Sequence, residues 1–75
     1  MKVKVSGVRS VNITGEYIKL DALLKYTSIA STGGEAKMLI QDGAVTVNKE
    51  VCTQRGKKIK PGTVIRYNDD VILVK

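Results

Sequence analysis

The hydrophobic period changes at Gly43, and that change constrains the fold more than any other feature of the chain. Up to Gly43, Ala36, Leu39 and Ile40 recur at the spacing of one helix face. After it, "AVTVN" puts Val45 and Val47 on one side at a period of two, the signature of a strand. Gly43 itself sits where a helix needs a left-handed residue to stop. Thr32 and Glu35 have the spacing of a capping box, which places the helix start near Thr32. A helix and a strand are therefore joined with almost no linker.

A second helical stripe precedes this one. In "YIKLDALLKYTSI", residues 17–29, Leu20, Leu23, Leu24 and Thr27 share a face, with Lys19, Ala22 and Lys25 off it. This helix is expected to stop near Thr27–Ser28. So short a connection makes the helices pack antiparallel or at a sharp angle. Upstream, "VKV" at 3–5 and "VNI" at 11–13 alternate as two short strands, with a turn at Gly7 and an end at Gly15. Downstream, "KEVC" follows a turn at Asn48–Lys49, although Lys is a poor second residue for a type I′ turn. Pro61-Gly62 marks another turn, and strands are expected at 63–67 and 71–74 around a turn at Asn68-Asp69-Asp70. Strands, two helices, then strands make an α+β domain.

Seventy-five residues allow one domain, residues 1–75. With no Phe or Trp, its core must be assembled from aliphatic side chains. The 13 Lys and Arg outnumber 7 Asp and Glu, for a net charge of +6, which favours an anionic partner. There is no His and one Cys, so a Cys–His pair and the usual zinc ligand sets are excluded. No catalytic activity, cofactor or metal is expected. The lone Cys52 fits a reducing cytoplasm and reads as a small core hydrophobe. "MKVKVSGVRS" lacks the apolar region of a secretory signal, and no run is long enough to span a membrane.

Two constellations could carry function. At the start of the second helix, Gly33 and Gly34 permit close approach to backbone N–H groups. Ser31 and Thr32 add hydroxyls, and Lys37 follows within about a turn. These residues suit a phosphate; they equally suit a capped helix with one solvated lysine. The lysine spacing is wrong for a P-loop. In "QRGKKIKPG", Arg55, Lys57, Lys58 and Lys60 crowd into a short stretch. That run suits nucleic-acid phosphate, or an edge strand protected from aggregation by lysines. Tyr17, Tyr26 and Tyr67 could stack on bases, though at least two read as half-buried packing residues. Asp69-Asp70 reads as a turn.

From Lys19 to Val64 the chain resembles the S-four-type RNA-binding domain. "KLDALLKY" is similar to the basic-Leu-Asp opening of that family's first helix. "ASTGGEAKMLIQDGAVTVN" is similar to its second helix and following strand, and "KIKPGTVI" to its closing segment. The "STGGEAK" form and the N-terminal extension look most like the small stand-alone YaaA/YbcJ-like proteins of bacteria. The resemblance implies a two-helix S-four-like (αL) motif packed on a small, mainly antiparallel sheet. It also implies binding of structured RNA, either ribosomal RNA or a ribosome assembly particle, by a cytoplasmic monomer. Carried over by position, the RNA-binding residues are Lys19, Ser31, Thr32, Gly33, Gly34 and Lys37. Lys49, Arg55, Lys57, Lys58 and Lys60 supply the basic strip beside them. Four positions depart from the family pattern: Gly33 stands where arginine is frequent, Ser28 and Lys49 where glycine is usual, and Thr63 where aspartate is. The rival reading is a protein-interaction module for an acidic partner.

Overall fold

In the computed structural model, which describes residues 8–75, the two apolar stripes form helices α1 (Leu20–Tyr26) and α2 (Gly33–Gln41). Leu20, Leu23 and Leu24 of the first and Ala36 and Ile40 of the second are fully buried, while Leu39 is only half-buried. Burying a side chain such as Leu is worth about 1.5–3 kcal/mol, so these five residues fix the helix pair.

Both helices end through a left-handed residue. After α2, Gly43 has φ 76°. Its N–H donates to the Ile40 carbonyl at 3.1 Å, and the Ala44 N–H to the Leu39 carbonyl at 3.2 Å, the paired bonds of a Schellman motif. After α1, Ser28 takes the equivalent position with φ 65° and donates its N–H to the Lys25 carbonyl. This is why glycine is usual at position 28, and Ser28 carries the strain of a side chain there. The end of α1 is held further by Arg9, whose Nη1 donates to the Thr27 carbonyl at 2.7 Å. A guanidinium there also opposes the negative end of the helix dipole.

The described residues also form seven strands: β1 (Val8–Val11), β2 (Ile18–Lys19), β3 (Val45–Val47), β4 (Glu50–Val51), β5 (Lys58–Ile59), β6 (Val64–Tyr67) and β7 (Asp70–Val74). Five form a sheet of order β1-β7-β6-β3-β4, in which β1 runs parallel to β7 and every other pairing is antiparallel. The α+β class and the mainly antiparallel sheet thus stand as expected. Register assigns the faces. Val47, Ile65, Ile72 and Arg9 align on the side facing the core, as do Val74 and Val11. Val8, Val71, Arg66 and Thr46 align on the opposite side, with Val64 and Leu73.

Several boundaries differ from the sequence reading. The strand at the "VNI" run begins earlier and ends sooner than expected: β1 stops at Val11, and beyond it the Lys75 N–H donates to the Val11 carbonyl and the Ile13 N–H to the Lys75 carbonyl, one further step of the parallel pairing. Ile18 and Lys19 belong to β2 rather than to the first helix, because they pair antiparallel with Ile59 and Lys58 of β5. The stretch before Pro61 is therefore partly a strand. Asp70 opens β7 opposite Tyr67 instead of lying in the turn. The strand expected at 3–5 and the turn at Gly7 lie outside the described residues. At the β3–β4 hairpin both turn residues are left-handed, Asn48 at φ 49° and Lys49 at φ 74°, so Lys49 does occupy the unfavourable second position of a type I′ turn. The Asn48 side chain steadies the turn by accepting the Val64 N–H at 2.9 Å.

Candidate nucleic-acid interface

The basic run from Arg55 to Lys60 is positioned by the first turn of α1. A helix start leaves its N–H groups without intrahelical partners. Here the Leu20 N–H donates to the Lys57 carbonyl at 2.9 Å, and the Asp21 N–H to the Arg55 carbonyl at 3.1 Å. The loop thus caps the helix with its backbone and leaves the side chains of Arg55, Lys57 and Lys58 exposed. Ile59 anchors the same segment by burying its side chain completely in the core.

Lys57, Lys58 and Lys60 line one open groove of about 570 Å³, together with residues 50–54 and the β3 end. One carboxylate, Glu50, lines the groove against these three ammonium groups. Lys19 comes close to them from β2, since it lies directly opposite Lys58 in the β2–β5 ladder. Like charges placed opposite each other on a ladder are destabilising. The Lys58 Nζ also sits 5.0 Å from the ring centroid of Tyr17, a cation–π contact that holds it in place.

The start of α2 is built differently. Thr32 is the N-cap, and its Oγ1 accepts the Glu35 N–H at 3.1 Å. Glu35 reaches back to the Ser31 N–H, at 2.8 Å, rather than to Thr32 itself. The capping box is thus present with its return bond displaced by one residue. Gly33 and Gly34 are exposed, and a Cβ at Gly33 would meet no atom within 4 Å. Gly33 adjoins Asp21, Ala22, Lys25 and Tyr26 of α1 along a shallow hollow. Lys37 is exposed and lies off the buried stripe.

The structure therefore brings Lys57, Lys58 and Lys60 to one groove, with Lys19 opposite Lys58 and Arg55 on the same loop. Gly33, at the start of α2, adjoins α1 and does not line the groove. Lys37 and Lys49 are exposed but do not line the groove. The tyrosines require a correction. Only Tyr67 packs half-buried against the core, whereas Tyr17 is 39% and Tyr26 68% exposed. The contact of Tyr17 with Lys58 is not legible in the sequence, because the two residues lie far apart along the chain. Cys52 is half-buried against the core, as a small hydrophobe would be. Among the described residues no three His, Cys, Asp or Glu side chains gather as metal ligands, and no helix is long and apolar enough to cross a membrane.

This geometry offers several exposed ammonium donors across a groove, together with a glycine-opened helix start. Comparison with known proteins points the same way. The S4 domain family matches residues 11–75. A relative in Bacillus subtilis (strain 168), named as a probable ribosome maturation protein RlbA, is 34% identical over 55 residues, covering 73% of this chain and 78% of that protein. With the fold, the ordered motifs and the extent of these matches in agreement, the chain belongs to the S4 domain family of RNA-binding domains.

Proposed function

We propose that this protein binds structured RNA, either ribosomal RNA or a ribosome assembly particle, through phosphate and shape contacts. It does so as a cytoplasmic, non-catalytic monomer. The observation that carries this reading is the groove in which Lys57, Lys58 and Lys60 converge, with Lys19 opposite Lys58. An excess of ammonium over carboxylate groups along one groove favours an anionic partner, and phosphates supply one. Shape rather than sequence is the readable feature of an RNA duplex, whose deep major groove excludes side chains. The relative's name, a probable ribosome maturation protein, supports a particle of that kind as the target.

The test is a titration of duplex RNA at several salt concentrations. Neutralising about four phosphates gives a log–log slope of roughly −3 to −4. A flat dependence removes the phosphate reading. Tight capture of an acidic protein that duplex RNA fails to displace would favour the protein-interaction module instead.

A further inference from the structure

Tyr17 and Tyr26 flank one small hollow that the phosphate reading does not use. Its volume is about 270 Å³, and Asn12, Ile13, Thr14 and Ile18 complete its lining. The two rings come from opposite ends of one short unit. Tyr17 precedes β2, and Tyr26 closes α1, which is only seven residues long. A helix of about two turns keeps both ends within reach of one cavity. Large aromatic side chains are costly to leave in water, yet Tyr26 is 68% exposed and Tyr17 39%. The hollow lies just below the roughly 300 Å³ at which pockets for drug-sized ligands begin, so it suits a single planar ring system.

The hollow is continuous in chemistry with the basic groove. Lys58 lines that groove, and its Nζ also stands 5.0 Å from the Tyr17 ring centroid. A ligand that placed a flat ring against the tyrosines would bring an attached anion toward Lys58. Exposed aromatic rings beside lysines are the combination that holds unpaired nucleotides, the ring stacking on the base and the ammonium meeting the phosphate. Asn12 and Thr14 add polar groups that can reach a base edge.

We propose that the Tyr17–Tyr26 hollow receives one unpaired nucleobase of the bound RNA while Lys58 meets a neighbouring phosphate. The proposal rests on the RNA-binding reading and sharpens it: the preferred target is a helix interrupted by a bulged or looped-out nucleotide, not a continuous duplex.

The experiment uses two RNA hairpins of equal length, one fully paired and one carrying a single bulged 2-aminopurine. The wild-type protein is expected to bind the bulged hairpin about tenfold more tightly, in line with the energy of one base stacked on an aromatic ring. Stacking also quenches the 2-aminopurine fluorescence. Tyr26→Ala is expected to abolish both the preference and the quenching while leaving affinity for the paired hairpin unchanged. Tyr17→Ala repeats the test from the other wall, and thermal melts confirm that both variants fold. Equal affinity for the two hairpins, or a preference that survives both alanine variants, overturns the proposal. Failure to bind either hairpin overturns the RNA reading on which it rests, and is recognised because the paired hairpin fails too.

Discussion

At the start of α2 the protein already supplies partners for two of the N–H groups that could meet an anion, those of Ser31 and Glu35. Thr32 Oγ1 accepts from Glu35, and the Glu35 carboxylate takes the Ser31 N–H and sets a negative charge beside the site. In the groove below α1 the reverse holds. The backbone carbonyls of Arg55 and Lys57 take the Leu20 and Asp21 N–H groups, while Lys57, Lys58 and Lys60 line the groove with one carboxylate, Glu50, among them. The first region sets its own carboxylate on the Ser31 N–H; the second sets three ammonium groups against one carboxylate, with Lys19 opposite Lys58, an excess that a polyanion complements. Motifs of equal prominence in the sequence thus differ in how much binding free energy they can contribute, and the groove should dominate.

The largest effect is expected from reversing the groove. Lys57→Glu combined with Lys58→Glu should weaken duplex RNA binding about 100-fold at low salt, since each charge-assisted hydrogen bond contributes about 1.5–3 kcal/mol. Both residues are exposed, so the variant should remain folded. Unchanged affinity in the folded variant would assign this run to edge protection and invert the comparison.

Lys19→Glu probes the same charge excess from the opposite strand, and its two readouts should move in opposite directions. RNA binding should weaken about tenfold. The free protein should gain about 0.2–1 kcal/mol, because a cross-strand Glu–Lys pair replaces Lys19 opposite Lys58. Denaturant melts that show a loss of stability would mean that Lys19 and Lys58 are not in conflict.

Smaller changes belong to the start of α2. Lys37→Ala should weaken binding by about two- to fivefold, the range of an exposed charge near a helix end. Gly33→Arg should strengthen binding by a similar factor through a fork-shaped phosphate donor. The backbone at Gly33 is not in the left-handed region, and the space for a side chain is open, so the arginine costs no strain. If Lys37→Ala weakens binding more than the Lys57→Glu and Lys58→Glu pair does, the helix start, not the groove, is the principal site.

Local patterns in the sequence located both helices, since the stripe of Leu20, Leu23 and Leu24 and that of Ala36 and Ile40 depend only on neighbours a turn apart. Gly43 and the Thr32–Glu35 pair marked the ends of α2 for the same reason. What escaped was set by distant partners. Ile18 and Lys19 continue a helical pattern, yet they form a strand because Lys58 and Ile59 arrive beside them. Arg9 looks like a surface cation until the parallel β1–β7 pairing aims it at the end of α1. "VNI" alternates as well as "VRSV" does, and only the register with β7 selects the latter. The candidate site divides along the same line. The charge of Lys57, Lys58 and Lys60 was readable from their crowding, whereas the nearness of Lys19 and Tyr17 was not.

The central claim is that RNA meets the β2–β5 ladder and its loop. Amide chemical-shift mapping of the isotopically labelled protein, titrated with duplex RNA, tests it most directly. The account predicts that the largest shifts cluster at Lys19 and from Gln54 to Lys60, with smaller ones from Ser31 to Lys37. Shifts concentrated instead on Val8, Val64, Val71 and Leu73, on the outer face of the five-stranded sheet, would contradict it.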